Sequence, residues 1–166
     1  DLLINLTTSG FNITGPDADE RRLDPLSLEP DLCSLDVGSF NFRDRVFINT
    51  VQWVDSAAQR LREAGVKPEI EVFDLGQLRQ ANDLIERDLI APPPWIQLCL
   101  GIRWGIEGTL RALVDMCDRL PAGARHRRHR ARAHCRASCA LRPSACAASV
   151  SRRTSTCPLG RKKRKL

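Results

Sequence analysis

No G-x-G-x-x-G follows the first strand-like run, no apolar run approaches the eighteen or so residues of a membrane span, and no signal-peptide pattern opens the chain. These gaps argue against a dinucleotide-binding fold, a membrane partner and secretion, and leave a cytoplasmic protein in a reducing compartment as the expectation. Histidine is missing from residues 1–120; His126, His129 and His134 come later. Residues 121–166 in turn lack Asp, Glu and every aromatic. The chain begins on Asp1-Leu2-Leu3-Ile4 with no initiator Met and no preceding helix, which reads as truncation at the front.

What is present divides at the same point. The chain has 166 residues, the size of one domain and long enough for a sizeable core. Its net charge of +6 conceals two kinds of sequence. Residues 1–120 hold all 20 acidic residues and 12 of the 26 Lys and Arg, for a net charge of −8. The other basic residues crowd the tail. Cys33, Cys99 and Cys117 sit in periodic patterns and read as small buried hydrophobes, whereas the remaining four cysteines lie in the tail.

The organising stretch is Lys67-Pro68-Glu69-Ile70-Glu71-Val72-Phe73-Asp74-Leu75-Gly76. Read as a strand entering a helix, it points Glu69, Glu71 and Phe73 one way and Ile70 and Val72 the other. A short strand between helical patterns belongs to a parallel sheet, whose faces are normally both buried. Buried carboxylates are costly unless a metal, a cation or hydrogen-bond donors receive them, and enzyme pockets are where that cost is accepted.

Other strands and helices follow in order. Leu2–Thr7 predicts a strand ending in Thr7-Thr8-Ser9-Gly10, a loop whose N–H groups and hydroxyls suit an anion. Residues 11–31 read as an irregular polar connection with a helical turn from Leu26 to Leu32. Cys33–Gly38 predicts a second strand, with Ser34 and Asp36 sharing one face, directed where Glu71 points if both strands belong to one barrel. After a loop over Gly38–Asp44, an amphipathic helix begins at Asn49 or Thr50 and ends at Gly65; a second runs from Leu75 to Asp88. Trp95–Gly101 predicts a fourth strand with Gln97 and Cys99 opposite Ile96, Leu98 and Leu100, and a final helix runs from Ile106 to Cys117.

Four strands alternating with helices predict an α/β fold. Polar residues recur near the ends of successive strands and the Rossmann fingerprint is missing, which favours a partial (β/α)8 TIM barrel of about four βα units over a doubly wound sheet.

Ile4–Gly10, Glu20-Arg21-Arg22-Leu23, Ser34–Phe42 and Pro68–Gly76 together resemble the β-keto acid cleavage enzymes, a family that includes the 3-keto-5-aminohexanoate cleavage enzyme of lysine fermentation. The likeness covers residues 1–120. It implies a (β/α)8 barrel with zinc at the C-terminal strand ends, homo-oligomeric assembly, and a transferase reaction in which a β-keto acid and acetyl-CoA give acetoacetate and a new acyl-CoA. It implies that Thr8, Ser9 and Gly10 form the loop for the substrate carboxylate, that Ser34 and Asp36 contact substrate, and that Glu71 is the catalytic carboxylate that organises proton transfer. Asp36 stands where an Asn is more usual, adding negative charge beside an anionic substrate. The family's zinc ligands, a His-x-His pair and a Glu, have no counterpart in residues 1–120, so the copy reads as incomplete and inactive.

Residues 121–166 form a basic low-complexity segment, read as a frameshifted frame or a disordered tail. Its Arg and Lys clusters are also the basis of the alternative, a nucleic-acid-binding or interaction protein, although no nucleic-acid-binding fold motif accompanies them. His134, Cys135, Cys139 and Cys146 match none of the usual structural zinc spacings.

Overall fold

In the computed structural model, residues 2–121 are described. The expectations for the basic tail, its histidines and its four cysteines lie outside the described residues. Six strands and four helices follow in chain order: β1 (Asn5–Leu6), α1 (Ala18–Arg21), β2 (Leu32–Asp36), β3 (Phe40–Phe42), β4 (Arg45–Phe47), α2 (Val51–Glu63), β5 (Lys67–Val72), α3 (Leu75–Glu86), β6 (Trp95–Leu98) and α4 (Leu110–Asp118). A 3-10 helix, Asp24–Leu28, lies where a helical turn was expected slightly later.

Strands β1, β2, β5 and β6 form one parallel sheet in that spatial order, and β3 pairs with β4 in a separate antiparallel hairpin. Spatial order follows chain order without a reversal, so the described sheet has no topological switch point of the kind a doubly wound fold uses. The molecule is an α/β protein, as its alternating patterns predict.

Two helices show why the sequence folds this way. Thr50 caps α2 by accepting the Trp53 N–H at 3.2 Å. Trp53, Val54, Ala57, Ala58 and Leu61 are buried along one stripe, as helical period demands. The helix ends in a Schellman motif: Val66 N–H donates to the Leu61 carbonyl at 2.9 Å and Gly65, at φ +66°, donates to Arg62 at 3.0 Å. Helix α3 starts with Asp74 accepting from Gln77 N–H at 2.8 Å and closes with the same pair of turns around Asp88, at φ +57°.

The sheet therefore has two unlike faces. Cys33, Leu35, Val37, Ile70, Val72, Ile96 and Leu98 pack into one buried cluster with the apolar stripes of α2, α3 and α4. The opposite face carries Ser34, Asp36, Glu71 and Gln97.

Several boundaries differ from expectation for local reasons. β1 pairs through Asn5 and Leu6 only, although the Leu32 N–H still reaches the Ile4 carbonyl at 3.0 Å, and Leu2 and Leu3 are exposed. The expected loop over Gly38–Asp44 contains β3 and the turn of a hairpin. Helix α4 begins at Leu110 rather than Ile106, because Thr109 accepts the Ala112 N–H as its cap while Ile106 donates to the Phe73 carbonyl at 2.7 Å. No helix among the described residues is long and apolar enough to cross a membrane.

Candidate active site

The polar sheet face opens at the C-terminal ends of the strands into a cavity of about 270 Å³. Parallel register places Asp36 on β2 beside Glu71 on β5, and Glu71 beside Gln97 on β6, so one transverse row crosses three strands. One step toward the strand starts, Ser34 aligns with Glu69. Because side chains alternate, Phe73 and Cys99 continue the same face, and both line the cavity.

Asp36 is buried at 4 % exposure, Glu71 is half-buried, and their carboxyls are hydrogen-bonded to each other. Burial is the largest cause raising both groups, Asp36 to about 6 and Glu71 to about 8. The mutual charge raises Glu71 further, while Arg22 and the hydrogen bond from Glu71 hold Asp36 lower. Burial and mutual repulsion thus favour retention of a proton by the pair near neutrality, shared between the two carboxyls. Such a group can give a proton to, or take one from, a ligand in the cavity.

Ser34 anchors the first loop. Thr8 N–H donates to Ser34 Oγ at 3.2 Å, the Thr8 hydroxyl donates to the Ser34 carbonyl at 2.6 Å, and the Thr7 and Ser34 hydroxyls lie 3.3 Å apart. Thr7, Ser9 and Ser34 line the cavity. Thr8 does not: it is 1 % exposed and its hydroxyl is engaged by the sheet, making it the post on which the loop stands. Gly10 stands farther back. A Cβ there would lie 2.5 Å from Arg22 Cδ, so glycine makes room for that side chain.

Arg22, to which the sequence pattern assigns no role, supports this loop. It is 3 % exposed, with its guanidinium 3.2 Å from the Trp53 ring centroid. Its Nε donates to the Thr8 carbonyl at 3.1 Å, Nη1 to the Ile48 carbonyl at 3.3 Å and Nη2 to Asn49 Oδ1 at 2.6 Å. Burial lowers it to about 10, which leaves it a cation at neutral pH near Asp36.

Opposite the carboxylates stands an aromatic wall. Phe11, Phe40, Phe42, Phe47 and Phe73 are the chain's five phenylalanines, and all of them line this cavity. Phe40 stacks on Phe73 at 4.3 Å, and edge-to-face contacts of 5.2 to 6.0 Å join the others. Their i, i+2 spacing at Phe40 and Phe42 was the available signal, hidden because the hairpin was read as a loop. Cys99 is the cavity's thiol; burial first, then Glu71, pushes it up to about 12, so it is neutral.

Among the described residues no group of three or more His, Cys, Asp or Glu side chains is placed to hold a metal ion. Within the described residues, a proton-sharing carboxyl pair beside a neutral thiol, with no imidazole among them, does not fit a zinc centre.

Comparison with known proteins agrees with this geometry. The family model for beta-keto acid cleavage enzyme matches residues 1–148, past the composition boundary at residue 120. Over 95 residues the chain is 41 % identical to the 3-dehydrocarnitine:acetyl-CoA trimethylamine transferase of Rhizobium meliloti (strain 1021), covering 56 % of this chain and 32 % of that protein. It is 36 % identical over 105 residues to the 3-keto-5-aminohexanoate cleavage enzyme of Acetoanaerobium sticklandii, covering 63 % and 38 %. The 3-oxoadipate:acetyl-CoA acetyltransferase of Cupriavidus necator is 41 % identical over 78 residues, 47 % of this chain and 28 % of that protein. The chain thus spans about a third of the length of these curated relatives. Among solved structures, a ternary complex of ObcA with a C4-CoA adduct and oxalate superposes with a TM-score of 0.51 at 23 % identity, covering 60 % of this chain and 23 % of that one. A match that takes in the loop, the carboxylate row and the hairpin together shows that the chain belongs to the β-keto acid cleavage enzyme family.

Proposed function

We propose that residues 2–121 form the substrate-side part of a β-keto acid cleavage site, built on four consecutive βα units of a (β/α)8 barrel. In this reading the chain's substrate is a β-keto acid and its co-substrate acetyl-CoA, the pairing that the relatives' names indicate. The observation that carries it is the Asp36–Glu71–Gln97 row at the C-terminal end of a parallel sheet.

Each residue has a task. The Ser9 hydroxyl, and whichever of the Thr7 and Ser34 hydroxyls does not donate to the other, offer donors to the substrate carboxylate, while the Ser9 N–H is engaged by Thr7 Oγ1 at 3.0 Å; Thr8 and Gly10 shape the loop that aims them. Glu71, paired with Asp36, organises the proton that the reaction must move. A proton shared by the pair also reduces repulsion toward an anionic substrate, which two ionised carboxylates would reject. The phenylalanine wall excludes water and accepts the apolar part of the keto acid.

The family resemblance implies zinc, for which the described residues form no site; residues 2–121 are therefore expected to bind ligand without turning it over. Calorimetric titration with acetoacetate tests the site: binding in the parent, weakened about tenfold or more in Ser34→Ala and Glu71→Gln, supports it. Equal binding by all three sinks it. Acyl-CoA formed from a β-keto acid and acetyl-CoA by this chain would overturn the expected inactivity.

A further inference from the structure

We infer that Gln97 is the specificity-determining residue of the cavity, selecting β-keto acids that carry a hydroxyl two carbons beyond the keto group. This role rests on the reading of the cavity as a β-keto acid site and narrows which acid fits it.

Gln97 ends the transverse row on β6, where it pairs in register with Glu71 and lines the cavity. Its side chain is half-buried and only weakly engaged by the protein. Nε2 reaches the Cys99 sulfur, a poor acceptor, at 3.6 Å, and among the described residues nothing donates to Oε1. Cys99 in turn lies along its own strand, with Sγ 4.0 Å from the Gln97 carbonyl. The lining around them is apolar, from Phe73, Leu100 and Ile102. An amide oxygen without a donor, set among apolar neighbours, selects what comes to rest against it. A ligand group that donates pairs with the oxygen; one that cannot leaves it unpaired as water is displaced.

Where that group sits on the ligand follows from the sheet. Ser34 aligns with Glu69, and Glu71 with Gln97, so Gln97 lies two strands across and two residues along from Ser34. With strands about 4.8 Å apart and residues about 3.3 Å along each, the two backbones are separated by about 12 Å. A carboxylate hydrogen-bonded at Ser34 takes up about 3 Å of this, and the four carbons of acetoacetate about 4 Å more. The acetoacetate methyl therefore ends short of Gln97 and has nothing to donate. A six-carbon acid brings a substituent on its fifth carbon within reach of the glutamine side chain. Charged substituents are sorted before they arrive. An ammonium is drawn to the carboxyls of Asp36 and Glu71 ahead of a neutral amide, and a second carboxylate meets those acids with no Lys or Arg among the lining residues. What Gln97 singles out is a neutral donor, and a hydroxyl is that group.

The test is calorimetric titration of the full chain with acetoacetate, 3-oxohexanoate and 5-hydroxy-3-oxohexanoate. The last two share a carbon chain and differ by the hydroxyl alone. The parent should bind the hydroxy acid about tenfold more tightly than 3-oxohexanoate. Gln97→Leu, which removes the amide at similar volume, should bring that ratio close to one. A merely structural glutamine would weaken both acids together and leave the ratio where it was. Gln97→Met, unbranched like glutamine, makes the same comparison if the leucine variant loses the parent's circular dichroism. Equal binding of the two six-carbon acids by the parent overturns the assignment whatever the variants do. A preference that persists without the amide overturns it as well. In both cases acetoacetate binding by the parent leaves the keto acid reading standing. Binding of none of the three acids by the parent would instead defeat that reading, and the role of Gln97 with it.

Discussion

Asp36 and Glu71 make the site's charge depend on pH in a direction that can be worked out. Both are raised in the fold, Glu71 to about 8 and Asp36 to about 6, so between the ordinary carboxylate range and pH 8 the folded chain holds more protons than the unfolded one. Stability from these groups is present in full below their unfolded values and falls as pH rises through the folded ones, by no more than about 1.4 kcal/mol per pH unit for each proton. Thermal melts from pH 4 to 8.5 should show that decline, and Glu71→Gln should flatten its upper part. Asp36→Asn removes one of the charges that raise Glu71 but not the burial that is the largest cause, so Glu71 should titrate lower yet still above a free glutamate. Arg22 gives a second prediction. Lysine has the charge but not the planar fork that reaches Thr8, Ile48 and Asn49 at once, so Arg22→Lys should cost about 2 kcal/mol or more and weaken acetoacetate binding through the displaced loop.

Among the elements, those with strong local signals were legible. Helix α2 was readable because its stripe, its Thr50 cap and Gly65 agree with one another; Gly65→Ala, forcing an alanine to φ +66°, should lower stability by about 1 kcal/mol in denaturant titration. The strands β2, β5 and β6 were readable from alternation, which is why Ser34, Asp36 and Glu71 were assigned to one face before their register was known. The hairpin was not. Phe42 pairs with Arg45, leaving a two-residue turn of Arg43 and Asp44, and Arg43 takes φ +57°, a conformation usually marked by Gly or Asn. With that marker missing, three-residue strands passed as loop, and with them went the aromatic wall. Arg43→Gly should therefore raise stability by about 1 kcal/mol in denaturant titration. The Thr8-Ser9-Gly10 motif was legible as a loop but not in its division of labour, because which hydroxyl faces the cavity depends on pairing with Ser34, a residue 26 positions away.

At the scale of the molecule, the described sheet has helices packed on one face and a carboxylate row on the other, and its outer strands β1 and β6 have no further partner among the described residues. Parallel sheets are ordinarily covered on both sides, and a bare strand edge is a template for pairing with another chain. β1 is the more exposed of the two, because the extended residues leading into it, Leu2, Leu3 and Ile4, are 89 %, 42 % and 43 % exposed. A second apolar strip lies on α4, where Leu110 is 76 % and Val114 49 % exposed. Self-association through β1 is the expected consequence, and charge placed at the edge should oppose it without touching the carboxylate row. Sedimentation velocity should show higher-order species for the parent chain and a shift toward monomer for Leu3→Lys, with acetoacetate binding retained. If Leu110→Lys makes that shift and Leu3→Lys does not, then the helix strip rather than the strand edge joins the copies. The carboxylate site would be unaffected by that outcome, since Asp36 and Glu71 take their geometry from β2 and β5, the two inner strands of the described sheet.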